Sequence, residues 1–205
     1  MLFTPGDVVP DASEPTSLSL LSKVKTQDDQ AWQHLVHLYG PLVHRWCRRS
    51  NLNEADTADV FQETFRAVSA HIESFQPNKK VGSFRSWLRT IVRSKVNDHF
   101  RRVQRQPVGR GGSEAQLRMA AVVDHLEDEH DAEAETDHAE VVRRALEMIQ
   151  PEFNERNWEA FIAVAIDGES ATDVAERFGI QAQTVRQANY RIRRRLRVIL
   201  QDLGD

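Results

Sequence analysis

The chain has 205 residues, 40% of them hydrophobic and 28% charged, with a mean hydropathy of -0.55 and a net charge of -4. That composition can build one large core or two small ones beneath much charged surface. No run approaches the roughly 18 apolar residues of a membrane span and the N-terminus lacks a basic-then-apolar signal pattern, so a cytoplasmic protein with no membrane partner is expected.

Residues 1–17 hold three prolines and small polar residues and read as a disordered N-terminal tail. Thr26 is expected to open a helix, with Asp28 and Asp29 in its first turn and Trp32, Leu35, Val36 and Tyr39 on one apolar face. Gly40-Pro41 should close that helix and start the next. The single cysteine, Cys47, excludes an internal disulfide and reads as a buried thiol.

Asn53 is placed to cap a helix running to about Glu73, with Phe61, Phe65, Val68 and Ile72 on its buried stripe. Its other side carries Asp59, Gln62, Glu63 and Arg66 at i, i+3, i+4 and i+7, one exposed polar stripe. A turn at Phe75-Gln76-Pro77-Asn78 follows. Ser83 then caps a long helix through about Arg102, with Phe84, Trp87, Leu88 and Ile91 on the core side. Arg85, Arg89 and Arg93 lie within about 80° of arc on the opposite side, using roughly 100° per residue. Val96 and Phe100 continue that basic face. Apolar groups beside arginines suit unstacked single-stranded bases, and a helix end tucked against a neighbour suits them equally.

Gln106 to Ser113, with Pro107 and three glycines, breaks the pattern, and an acidic stretch too poor in apolar residues to pack alone follows. Between Asp124 and Glu140 stand nine acids and no Lys or Arg; without them 22 acids face 27 bases, so the rest of the chain is basic. That basic charge is concentrated in two windows, Arg85 to Arg105 and Arg186 to Arg197, which predicts two DNA contacts. Helical periodicity returns at about Ala139 with Val142, Leu146 and Ile149, pauses at Pro151, and resumes with Trp158, Phe161, Ile162 and Ala165. No window alternates as a strand would. The fold class expected is therefore all-α. It has two small helical domains, a bundle at 18–105 and a helix-turn-helix unit at 139–203, joined by a flexible acidic linker at 106–138.

The helix-turn-helix is read at 170–199. Ser170-Ala171-Thr172-Asp173 is a cap with an acid at N3, and Ala175, Gly179 and Val185 then follow at four and six residues. Ala175 is small where the second helix crosses, Gly179 suits a left-handed turn, and Val174, Ile180 and Val185 fill the wedge between the helices. The second helix places Val185, Ala188, Ile192, Leu196 and Ile199 on one seam. Its other faces carry Gln183, Thr184, Arg186, Gln187, Asn189, Tyr190, Arg191 and Arg194. Gln183, Arg186 and Gln187, near the start, suit base edges, while Arg191 to Arg197 suit phosphates.

Asp59-Val60-Phe61-Gln62-Glu63-Thr64-Phe65, then Ser83-Phe84-Arg85-Ser86-Trp87-Leu88-Arg89-Thr90-Ile91 with Asp98 and Arg101-Arg102, resembles the second region of bacterial sigma factors. The match is nearest the small extracytoplasmic-function (ECF) group. Thr184-Val185-Arg186 through Arg194-Arg195-Leu196-Arg197 resembles that group's fourth region. The resemblance covers about 18–105 and 139–203. It implies a sigma factor that binds core RNA polymerase and directs transcription initiation. Asp59, Gln62, Glu63 and Arg66 would dock on the clamp coiled-coil of the largest core subunit. Arg85, Trp87, Arg89, Arg93, Lys95, Arg101 and Arg102 would recognise and help melt the -10 element. Gln183, Thr184, Arg186, Gln187, Tyr190, Arg191 and Arg194 would read the -35 element. The acidic linker would follow the RNA exit path, and an anti-sigma factor is a further partner the resemblance allows.

Two rivals stand beside this reading. A stand-alone helix-turn-helix regulator explains 170–199 but leaves the stripe at 59–66 and the acidic linker without a use. An enzyme finds no support. Asp59 with Glu63 is an exposed carboxylate pair, and His34, His37 and His44 lack partners at recognised metal spacing. No catalytic residue, metal or cofactor is expected.

Overall fold

The computed structural model describes residues 19–76, 83–105 and 131–200. The expected tail at 1–17, the break at 106–113 and the start of the acidic stretch lie outside those residues. Among the described residues there are eight α-helices: α1 Leu20–Lys25, α2 Asp29–Arg49, α3 Glu54–His71, α4 Phe84–Arg105, α5 Asp131–Ile149, α6 Glu155–Ala165, α7 Ala171–Phe178 and α8 Ala182–Leu200. Short 3-10 turns follow α3 (Ile72–Ser74) and α5 (Gln150–Glu152). The all-α expectation holds. Among the described residues no helix is long and apolar enough to cross a membrane.

Local chemistry sets most boundaries. Asn53, Ser83, Asn154 and Ser170 each accept a backbone N–H of the first turn, from Asp56, Ser86, Asn157 and Asp173, satisfying donors that a helix start leaves over. The first boundary differs from expectation. Ser19 caps α1, Thr26 ends it, Gln27 turns at φ 61°, and Asp28 caps α2 by accepting from Ala31 N at 2.7 Å. Gly40-Pro41 does not divide α2, which runs through Pro41 unbroken. Proline costs the helix a hydrogen bond to the His37 carbonyl, but His37 is exposed, while Leu38, Tyr39, Leu42 and Val43 on either side are fully buried. Packing outweighs the local defect.

One large cluster takes in α1 to α4, centred on Leu35, Leu38, Tyr39, Leu42, Trp46, Phe84 and Leu88. Burial of this much apolar surface is the main driving force for the bundle. The cluster does not stop at the expected linker. Val141, Ala145, Ile149, Phe161, Ile192 and Ile199 belong to it as well, so the two predicted units are packed against each other. The acidic segment expected to be a flexible linker to 138 is helical from Asp131, where α5 begins. Asp137 is only 1% exposed and is held by α2, and this docking gives the segment a partner its own sequence does not supply. A smaller cluster of Ala160, Ala163, Val174, Ala175 and Val185 holds α6, α7 and the start of α8 together.

Candidate nucleic-acid interface

In the C-terminal unit, Gly179 adopts φ 60° and ψ 42°, the left-handed conformation expected of it, and Ile180 N bonds the Ala175 carbonyl at 2.9 Å across the turn. Val174, Ala175 and Val185 are buried in the wedge between the helices. Along α8, Val185, Ala188, Ile192 and Ile199 are buried and Leu196 is half-buried, as the seam predicts. Gln183, Thr184, Arg186, Gln187, Tyr190, Arg191 and Arg194 are all exposed, with Tyr190 at 65%. All seven therefore lie on the solvent-facing side of α8. Two neighbours differ. Asn189 is buried and donates to the Val185 carbonyl at 3.2 Å. Arg195, grouped with the phosphate holders, instead makes two hydrogen bonds to Glu152 at 2.6 and 2.7 Å. Glu152 thereby holds the Arg195 guanidinium more firmly protonated than usual.

Helix α4 is turned further than its sequence suggests. Its core residues are Phe84, Leu88, Val92 and Val96, while Trp87 and Ile91 are only half-buried. Trp87 packs on Phe75 and Phe84 with ring centroids 4.8 and 5.5 Å away. Arg89, expected on the basic face, is 7% exposed and lies 5.7 Å over the Trp46 ring, a cation–π contact. Val96 is fully buried, so of its two readings the tucked helix is the observed one; Phe100 is half-buried and its ring meets that of His99 in a T-shaped arrangement, centroids 5.6 Å apart. Arg85, Arg93 and Lys95 are half-buried, and Arg101 and Arg102 are exposed.

The geometry adds Asn97, which the sequence reading passed over. A cleft of about 270 Å³ is lined by Thr90, Arg93, Ser94, Asn97, Asp98 and Arg101. A second, of about 410 Å³, lies between α3 and α4 and is lined by Glu63, Lys95, Asp98, Arg101 and Arg102. The helical spacing Arg93, Asn97, Arg101 at i, i+4, i+8 could have pointed to it. The first cleft sets Asn97 between Arg93 and Arg101, the second gathers Lys95, Arg101 and Arg102, and Asp98 lines both, with Glu63 in the second; cationic and amide groups in a concave surface are the chemistry that tracks a nucleic-acid strand, and the two carboxylates oppose it.

On α3, Asp59, Gln62 and Arg66 are exposed and Glu63 is half-exposed, so the predicted polar stripe faces solvent. Arg66 donates to Glu63 and to Gln62. Cys47 is buried, and burial pushes its thiol up to about 12, which keeps it protonated and unreactive.

Residues 35–106, from the middle of α2 to the end of α4, match the family described as Sigma-70 region 2. Over 206 residues the chain is 29% identical to the ECF RNA polymerase sigma factor SigE of Mycolicibacterium smegmatis, spanning 95% of this chain and 72% of that protein. It is 27% identical over 187 residues to the ECF RNA polymerase sigma factor SigM of Mycobacterium tuberculosis, spanning 91% of this chain and 86% of the relative. Among solved structures, that of CnrH in complex with the cytosolic domain of CnrY superposes with a TM-score of 0.36 at 23% identity, over 89% of this chain and 95% of the other.

Proposed function

We propose that this chain, which belongs to the ECF group of sigma factors, binds core RNA polymerase and directs initiation by reading a promoter at two points. The observation that carries the reading is the pairing of a region 2 match over 35–106 with a distal helix-turn-helix whose seven predicted readers are all exposed.

In this reading the α3 stripe of Asp59, Gln62, Glu63 and Arg66 docks on the clamp coiled-coil of the largest core subunit. Its support is an acidic-polar face left in solvent on a helix whose other side is fully used by the core. The -10 element meets α4 through Arg85, Trp87, Arg93, Lys95, Arg101 and Arg102. Arg89, stacked on Trp46, supports that helix from behind. The start of α8 enters the major groove of the -35 element, where Gln183, Arg186 and Gln187 face base edges and Arg191 and Arg194 face phosphates.

Run-off transcription with core polymerase and this chain on a randomised promoter library tests the assignment. Transcripts that depend on the chain and share two separated elements are expected. Tight sequence-specific DNA binding by the chain alone, with no transcript when core enzyme is added, would instead identify a stand-alone regulator.

A further inference from the structure

Asn97, on α4, has hydrogen bonding that the fold leaves incomplete. Its side-chain oxygen is buried and has no hydrogen-bond partner among the described residues. The hydroxyls of Thr57 and Thr64 share that condition, but they lie on the core side of α3, and the Asn189 oxygen belongs to an amide whose nitrogen is tied to the Val185 carbonyl. Asn97 differs in lining the 270 Å³ cleft on α4. An acceptor stripped of water and given nothing in return is costly, so a ligand that pairs with it gains more than one meeting a satisfied group. The torsion that turns an asparagine amide is only loosely restrained, so either end of the group can be brought to the cleft.

The neighbours of Asn97 narrow what that ligand is. Arg93 and Arg101 stand one turn before and one turn after it, on the same helix face. Cations so placed suit the phosphates on either side of one nucleotide. Asp98 lines the cleft between them, its carboxylate 4.0 Å from Arg101. A carboxylate repels a phosphate but accepts from an amine, so the middle of the cleft suits a base and not the backbone. Adenine and cytosine each present an exocyclic amine beside a ring nitrogen that accepts. An asparagine amide matches that edge, its oxygen accepting from the amine and its N–H donating to the ring. Guanine and thymine carry a carbonyl oxygen where the amine would be, and Asp98 opposes it. The Asn97 oxygen is also recessed, whereas a base inside a duplex is read by side chains that protrude into a groove. The base must therefore leave the stack to reach it.

We propose that Asn97 is a specificity-determining residue of the downstream promoter contact: it selects one unstacked base that carries an exocyclic amine, adenine or cytosine. Asp98 takes the second amine proton, and Arg93 and Arg101 hold the flanking phosphates. The inference rests on the sigma-factor reading for the identity of the strand and on the α4 cleft for its chemistry.

The test uses the full chain with core polymerase and a promoter duplex left single-stranded at the downstream element. Each adenine there is replaced in turn by purine and each cytosine by 2-pyrimidinone, changes that remove the exocyclic amine alone. In the parent, one position is expected to lose about tenfold in affinity, within the range of a good bidentate base contact. In Asn97→Ala that position should become insensitive to the amine, with other positions unchanged. Asn97→Asp keeps an acceptor and should keep part of the sensitivity. A purine-sensitive position identifies the base as adenine, and a pyrimidinone-sensitive one as cytosine. Asn97→Ala that weakens every strand alike and leaves the amine preference intact would overturn the assignment, as would a parent with no amine-sensitive position. If the strand does not bind with core present, the sigma reading fails and this inference with it, whereas binding indifferent to the amine overturns the inference alone.

Discussion

Trp46 and Asp137 stand 91 positions apart in sequence, and the Trp46 indole N–H donates to the Asp137 carboxylate across 3.0 Å. Both are buried, Trp46 at 0% and Asp137 at 1% exposure, so neither can turn to water when the other is lost. Trp46→Phe keeps much of the ring packing and removes the donor. The expected loss is about 1.5–3 kcal/mol, the worth of a hydrogen bond to a charged group. It should be read as a lower urea midpoint at unchanged slope. A Trp46→Phe protein as stable as its parent would show that the bond contributes nothing net to folding.

The junction around Glu152 and Arg195 should respond to acid through His34. This residue is half-buried beside Asp28, Glu152 and Arg195 in a cavity of about 170 Å³, with Lys23 on the rim. Burial first, then the charge of Arg195 and a smaller push from His37, hold its pKa below the ordinary 6.5 against the opposing pull of Glu152 and Asp28. The unfolded chain therefore takes up this proton before the folded one does. Stability linked to His34 is complete above 6.5 and is lost as pH falls from there toward the lower folded value. The melting temperature should decline across that window, and His34→Gln should flatten this part of the profile. An identical decline in both proteins would place the titration elsewhere.

Residues whose chemistry acts within a turn or two were legible in the sequence. Asn53, Ser83 and Ser170 are caps because a short polar side chain meets a backbone N–H three residues on. Gly179 is a turn because its spacing from Ala175 and Val185 leaves one conformation that closes the wedge. Helix α1 escaped because six residues hold too little periodicity to register. Pro41 misled because a local breaker was set against burial that only the tertiary structure supplies. Arg89 was placed on the DNA face from its angle on a helical wheel, which cannot show that Trp46 lies across from it. The hold of α2 on α5 had no local signal at all, since Arg45 and Asp137 are 92 positions apart.

Gly179 offers a measurement of backbone strain with little interference from packing. A Cβ built there meets nothing within 4 Å, and the cost of a side chain is that of φ 60° alone. Gly179→Ala should destabilise the chain by about 1–2 kcal/mol, the penalty of the left-handed conformation for an ordinary residue. Gly179→Asn should cost less, because its side chain can bond locally in that region. Thermal unfolding of the three proteins checks the order. Equal losses for alanine and asparagine would mean that something other than φ sets the requirement.

The α3 stripe predicts a loss of assembly without a loss of fold. Asp59 is exposed and Glu63 half-exposed with Arg66 as its partner, so reversing both charges removes an exposed pair worth little to stability. Asp59→Lys with Glu63→Lys should weaken capture of core polymerase by tenfold or more, on the order of the 1.4 kcal/mol that a factor of ten represents. Helix content and melting temperature should stay near the parent values. Undiminished capture would remove this face from the docking assignment and leave the region 2 match without a contact surface here.

On α8 the same side-chain type is expected to do two different jobs. Arg186 is exposed in the second turn, beside Gln183 and Gln187, where a docked recognition helix meets base edges. Arg194 is exposed two turns further along, where the helix leaves the groove and the phosphate backbone is nearer. A guanidinium on a guanine edge discriminates by about 1–3 kcal/mol, whereas one on a phosphate positions without specifying. Arg186→Ala should therefore cost affinity mainly on the preferred upstream element and narrow the gap to mismatched sites. Arg194→Ala should weaken all sequences by a similar factor and lower the salt dependence by about one counterion. Competition binding of the polymerase-bound protein to matched and mismatched duplexes, at two salt concentrations, separates the two. If both variants act alike on every sequence, the division of α8 into a base-reading start and a phosphate-holding end is wrong, and specificity must come from elsewhere on the exposed face, with Tyr190 the next residue to change.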